Sequence, residues 1–176
     1  MPERVYGLRR LGRVVFSKWC NCGVCLYRLS NQCGWIRRRS KQLMEMKITQ
    51  DLMDQLTAQA KASSRLRMNM DLRNGPDDGS QRMLNALEPG TVMPIHRHHG
   101  SSETVVILRG RIRWIFYDDQ GRITESTELR SDGDIRMLNV EKDRWHSLEC
   151  LEGGSVLYES KDGPYHPLEE DEIMVK

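Results

Sequence analysis

The chain has 176 residues, 38% of them apolar, enough for one domain with a sizeable core and some length to spare. Its formal charge of +2 hides an asymmetry: residues 1–45 hold ten Lys/Arg and two Asp/Glu, whereas residues 46–176 hold seventeen and twenty-three. No stretch reaches 18 uninterrupted apolar residues, which excludes a membrane-spanning helix, and the acidic main body excludes a nucleic-acid-binding domain there.

Residues 1–45 show no steady helical or strand period. The basic start at Arg9, Arg10 and Arg13 leads into a short apolar run, Val14-Val15-Phe16, that stops at Lys18. No small-x-small cleavage site follows, so a secretory signal is not indicated. Cys20-x-Cys22-x-x-Cys25 and Cys33 are four thiols within fourteen residues, a number that can bind zinc or an iron–sulfur cluster. Their spacing is irregular for a zinc ribbon. Arg37-Arg38-Arg39 and Lys41 can attract nucleic acid or anionic lipid. Met44 and Met46 stand where acidic, patterned sequence begins. The favoured reading is therefore a basic, Cys-containing extension, disordered or translated from upstream of a natural start. Domain boundaries follow: 1–45 extension, 46–176 folded domain. The main body has one cysteine, Cys150, a small buried apolar residue rather than a nucleophile, so no disulfide framework is implied and a cytoplasmic location is expected.

Ile48, Leu52, Met53, Leu56 and Ala60 recur at helical spacing, with Thr49 as cap and Asp51 in the first turn, predicting an amphipathic helix over 49–62. Arg65 to Arg73 then alternates like a strand, with Arg67, Asn69 and Asp71 on one face and Leu66, Met68, Met70 and Leu72 on the other. Asn74 to Gly79 is a turn cluster, and Arg82 to Leu87 the next strand. Strands follow at 104–108, 111–117, 122–130, 135–140, 145–150 and 155–160, joined by turns at Gly110, Asp118–Gly121, Ser131–Asp134 and Gly153-Gly154. Short strands at this regular spacing predict an all-β sandwich or barrel. The acidic run Glu169–Glu172 reads as a solvated end.

His96 and His98, two apart on an extended segment, share a face, and Glu103 follows five residues later. With His146 downstream they form a plausible shell for a divalent metal. His99 should face away, and His166 lies in a Pro-flanked tail.

The stretch Gly90, His96, His98, Glu103, Gly110 resembles the first cupin motif, G-x5-H-x-H-x3/4-E-x6-G, at every position. The second motif is degraded. Gly133 and His146 are present, but Glu141-Lys142-Asp143 stands where Pro-x-Gly is usual, and Cys150 stands in place of Asn. More narrowly, residues 47–168 resemble the WbuC-type cupin-fold metalloproteins, on the strength of Gln81–Thr91, Trp145–Leu148 and Lys161–Pro167. The resemblance implies a double-stranded β-helix (a small jelly-roll barrel) with a short N-terminal helix, and a metal in its mouth. It also implies an association with bacterial surface polysaccharide (O-antigen) metabolism.

Three imidazoles and a carboxylate leave open positions on Fe, Mn, Ni or Zn. The chemistry expected is metal-dependent isomerisation or epimerisation of a sugar-like substrate. The alternatives are an Fe(II)-dependent dioxygenase and a non-catalytic sugar-binding module. A sugar or sugar phosphate is the expected ligand, with Arg67, Asn69, Arg82 and Arg111 as candidates to hold its anionic group. A homodimer through strand edges or the N-terminal helix is expected.

Overall fold

A computed structural model describes residues 45–175, together with two short strands, Val14–Val15 (β1) and Arg28–Leu29 (β2), which pair antiparallel. The chain divides into two compact units, Met1–Lys47 and Ile48–Lys176. The four-cysteine group and the basic run at Arg37–Lys41 lie outside the described residues.

The second unit opens with α1, Gln50–Ala62. Thr49 caps it, its hydroxyl accepting from the Leu52 amide at 3.2 Å. Eight strands follow: Arg67–Asp71 (β3), Ser80–Leu87 (β4), Glu103–Arg109 (β5), Arg111–Tyr117 (β6), Ile123–Arg130 (β7), Met137–Val140 (β8), Trp145–Cys150 (β9) and Ser155–Asp162 (β10). They form a five-stranded antiparallel sheet, β3-β4-β10-β5-β8, and a three-stranded sheet, β7-β6-β9. This is a jelly roll, the cupin double-stranded β-helix, with an N-terminal helix.

The period of two assigns every strand residue to one of two environments. Val105 and Ile107 of β5, Ile112, Trp114 and Phe116 of β6, and Leu157 of β10 meet in the core between the sheets. The opposite faces of β4 and β10 present Leu84, Ala86 and Val156 to Met53, Leu56 and Ala60 of the helix, with Met68 and Met70 of β3 packed alongside. The helix thus covers the outer face of the larger sheet and leaves its inner face to line the barrel. Burying one of these Leu or Met side chains stabilises the fold by roughly 1.5–3 kcal/mol.

The two motif glycines have a backbone reason. Gly110 (φ +79°) turns the chain from β5 into β6, and a Cβ there would lie 2.9 Å from Ser155 Cα. Gly90 adopts φ +93° against Leu66. In the degraded second motif Asp143 does the work expected of glycine. It adopts φ +64°, which Asp tolerates better than most residues, and its amide donates to His98 O at 2.9 Å. The substitution at this turn therefore still delivers β9, and with it His146, to the barrel mouth.

The acidic C-terminal run differs from the solvated end expected of it. Glu170–Glu172 forms a 3-10 turn, and Glu172 is only 2% exposed. Its carboxylate accepts from the amides of His99 and Glu169, both at 3.0 Å. Its carbonyl accepts from Arg97 N at 3.0 Å, and Met174 N donates to Ile95 O at 2.9 Å. A short acidic run reads as solvated because its partners, the backbone amides around His98, lie some seventy residues away in sequence. Among the described residues, no helix is long and apolar enough to cross a membrane.

Candidate metal centre

Three elements bring the ligands together. His96 lies on the extended segment before β5 and pairs with His146 on β9: His96 N donates to His146 O at 2.9 Å, and His146 N to His96 O at 2.8 Å. Glu103 is the first residue of β5 and shares the inward face of Val105 and Ile107, so alternation aims a carboxylate into the barrel. The ligand nitrogens of His96, His98 and His146 all lie within 4.8 Å of one another. These three histidines are placed to hold a metal ion.

Their ring orientations are fixed from behind. His96 Nδ1 donates to Pro94 O at 3.0 Å and His146 Nδ1 to Arg144 O at 2.8 Å. Each bond puts the proton on Nδ1 and leaves the Nε2 lone pair facing the cluster, which is the tautomer a metal needs. Trp114 stacks on His146 with ring centroids 5.3 Å apart and planes 18° apart. Burial, reinforced by the neighbouring His146, holds the His96 pKa down at about 4, so His96 is a neutral ligand at ordinary pH.

Glu103 tests whether this residue set fits a metal. Its Oε1 lies 2.8 Å from His146 Nε2, and neither atom has a hydrogen-bond partner although both are buried. With the His146 proton committed to Nδ1, two lone pairs face each other. Burial alone would push the Glu103 carboxyl up, but its contacts with His146 and His98 and the charge of Lys161 hold it well below the usual carboxylate range. An anionic oxygen set against an imidazole whose first proton is on Nδ1 is a repulsive pair unless a second proton on Nε2 or a metal ion joins them. The donor set therefore fits a divalent metal.

A cavity of about 280 Å³ opens beside the cluster, near the lower end of the ~300–1,000 Å³ common for small-molecule sites. Arg67 and Asn69 line it from β3, together with Met68, while Met70 packs toward the helix. Arg82 and Arg111 are not among its lining residues. Arg82 shares a strand face with Leu84 and Ala86, turned away from the barrel interior, and pairs with Asp78 at 2.5 Å. Arg111 alternates with the buried Ile112 and lies 3.7 Å from Glu128. His99 faces away from the cluster, its ring between Asp143 at 2.6 Å and Asp171 at 3.3 Å. His166 is on the cavity wall, with Nδ1 donating to Pro167 O. Cys150 is a buried free thiol whose pKa burial pushes up.

Two charged residues of the cavity wall have no counterpart in the sequence reading. Lys161 Nζ lies 2.9 Å from Glu159 Oε1, 3.1 Å from His98 Nε2 and 3.7 Å from Glu103 Oε2. Burial works against the Lys161 charge, but Glu159 and Glu103 more than offset it and raise the ammonium above its ordinary value. Burial and the Glu103 charge push Glu159 up. The available signal was parity. Glu159 and Lys161 follow the core residue Leu157 at intervals of two, so they continue its inward face.

Fold and site together define a cupin-fold protein with a metal-type histidine cluster. A family model described as a domain of unknown function, DUF6016, matches residues 48–129. No curated protein matches the chain. Among solved structures, the capsular polysaccharide assembling protein CapF from Staphylococcus aureus aligns with 17% identity and a TM-score of 0.50, over 64% of this chain and 32% of that one. KdgF from Halomonas sp. aligns with 15% identity and a TM-score of 0.46, over 56% and 82%. An oxalate oxidase aligns with 12% identity and a TM-score of 0.47, over 58% and 53%. The chain thus spans about a third of CapF and about half of the oxalate oxidase. At these identities the shared feature is the cupin fold.

Proposed function

We propose that residues 46–176 form a divalent-metal cupin of the WbuC type, in which His96, His98, His146 and Glu103 hold the metal and the adjoining cavity takes a sugar-like substrate for isomerisation or epimerisation. The observation that carries the metal reading is the convergence of His96, His98 and His146, with ligand nitrogens within 4.8 Å of one another, on the buried Glu103 Oε1, 2.8 Å from His146 Nε2. Iron, manganese, nickel and zinc all suit three imidazoles and one carboxylate.

A bound metal supplies Lewis-acid polarisation of a substrate carbonyl or hydroxyl. The residues of this chain supply the rest. Asn69, Asn85 and Gln81 line the cavity with amides that match the alternating donors and acceptors of a polyol. Arg67 is placed on the wall for an anionic substituent. Trp114 stacks on His146 and shields that face of the ring from water. These amides and charges are set into a largely apolar wall that includes Met83, Met93 and Leu157, and they would orient a hydroxylated substrate by its polar groups. Resemblance to the WbuC-type proteins supports a place in bacterial surface-polysaccharide metabolism, in the cytoplasm. β3 is an edge strand of the larger sheet, which supports a homodimer.

Metal analysis of the purified full chain tests the centre: about one divalent ion per chain is expected, lost in His96→Ala/His98→Ala. Deuterium uptake at a sugar carbon, dependent on metal and independent of oxygen, tests the reaction. Stoichiometric oxygen consumption by the iron-loaded protein with the same sugar would instead establish the oxygenase.

A further inference from the structure

Lys161 lies across the sheet from Gln81 of β4 and Glu103 of β5, and its side chain is 10% exposed. An ammonium has three donors and no acceptor. One donor goes to Glu159 Oε1 at 2.9 Å, and Glu159 is itself anchored by Asn85 Nδ2 at 3.1 Å. A second goes to His98 Nε2 at 3.1 Å. That nitrogen has a single lone pair, the one a metal held through Nε2, as at His96 and His146, would use. Lys161 and a metal therefore compete for His98. Metal loading displaces a buried ammonium N–H from its acceptor, and a buried charged donor left unpaired is costly. Another acceptor within reach is Glu103 Oε2, at 3.7 Å and itself beside the cluster.

We propose that Lys161 is the binding group of an oxyanion subsite at the edge of the metal centre, and that the ligand carries a carboxylate or phosphate next to the oxygen that reaches the metal. This rests on the metal reading above and extends it to a ligand class. The local charge agrees. Three neutral imidazoles, one carboxylate and a divalent ion leave one positive charge, and Lys161 and Glu159 cancel. One negative charge on the ligand neutralises the site. Arg65 and Arg67 on the cavity wall shift the balance further toward an anion. Because the donor is released by the metal, the anion binds after the metal.

The test is calorimetric titration of the full chain, loaded with Mn(II) or stripped of metal, using probe pairs that differ in charge but share a carbon skeleton. Lactate is compared with propane-1,2-diol, and glycerol 1-phosphate with glycerol. The Mn(II)-loaded protein should bind the anion of at least one pair about tenfold or more tightly than its neutral partner, as expected for a charge-assisted bond. The pair that shows the larger ratio distinguishes carboxylate from phosphate. The preference should fall severalfold when metal is stripped, and also in Lys161→Met/Glu159→Gln, which removes both charges of the buried pair and leaves at most the few-fold part that Arg67 supplies. Metal content and circular dichroism confirm that this variant is loaded and folded.

Equal binding of anion and neutral probe by the Mn(II)-loaded wild type overturns the proposal with no variant needed. So does an anion preference that is undiminished in the double variant, the result expected if Lys161 closes on Glu103 instead. Failure of the wild type to retain Mn(II) overturns the metal reading and the subsite with it; retained Mn(II) with no charge preference overturns the subsite alone.

Discussion

Glu103 Oε1 and His146 Nε2 lie 2.8 Å apart, both buried and neither hydrogen-bonded, because His146 spends its proton on Arg144 O. Glu103→Gln separates the two consequences of this contact. A glutamine amide can donate to His146 Nε2, so the metal-stripped variant should be more stable than wild type by about 1 kcal/mol. Its metal affinity should fall by more than about 100-fold, since loss of even an outer partner costs ~10–100-fold. Urea unfolding in chelator and a competitive metal titration read the two effects. A variant that is less stable without metal, or that binds metal as well as wild type, contradicts the pairing described here.

His96 gives the metal-stripped protein a defined pH dependence. Burial and His146 lower its pKa from 6.5 to about 4 in the fold. Between those values the unfolded chain binds the proton and the folded chain does not. The resulting stability is complete above about pH 6.5 and is lost as pH falls toward 4, with a slope of at most ~1.4 kcal/mol per pH unit for one proton. Unfolding in chelator across this window should show the slope, and His96→Gln should remove close to one proton from it. An unchanged slope in that variant would mean that His96 titrates normally.

Much of this site could be read from strand alternation, and the failures lie where alternation was not applied or could not apply. His96 and His98 were legible because a spacing of two on an extended segment puts both on one face, whereas Glu103, past a bend at His99 and Gly100, was legible only from the spacing of the motif. Arg82 and Arg111 were candidates for a substrate's anionic group on charge alone, and neither lines the cavity. Each alternates with its neighbours onto the outer face, beside Leu84 and Ala86 in one case and against Ile112 in the other. Glu159 and Lys161 carried the opposite signal: they continue the inward face of Leu157, but charges at the end of a strand look like solvent contacts until Gln81 and Glu103 flank them across the sheet. Glu172 could not be read at all, since its burial depends on amides near His98 that no local pattern reveals.

Glu172 supports the metal loop from the far end of the chain. Its carboxylate holds the amides of His99 and Glu169, and its backbone holds Arg97. Glu172→Ala leaves two amides without acceptors, and each such loss costs about 1–3 kcal/mol when buried. Metal affinity should fall by about 10-fold, the lower range for an outer-shell support. Glu172→Gln keeps one acceptor oxygen and should recover part of both. Thermal unfolding and metal titration of the two variants check this. Full metal affinity in Glu172→Ala would show that the C-terminal segment merely rests on the loop.

Arg67, Arg82 and Arg111 make a controlled comparison, because only Arg67 lines the cavity. Arg67→Ala should weaken binding of an anionic ligand to the metal-loaded protein by about 3- to 10-fold, the range of a partly exposed charge-assisted contact. Arg82→Ala removes a surface pair with Asp78, and Arg111→Ala a longer one with Glu128. Each of these should cost ~0–1 kcal/mol of stability and leave ligand binding unchanged. The readout is calorimetry on the three single variants at one ionic strength, repeated at higher salt, where the Arg67 effect should shrink. If Arg82→Ala or Arg111→Ala weakened the ligand as much as Arg67→Ala, the anion would be responding to net charge rather than to a group on the cavity wall, and alternation along β3, β4 and β6 would have no bearing on recognition.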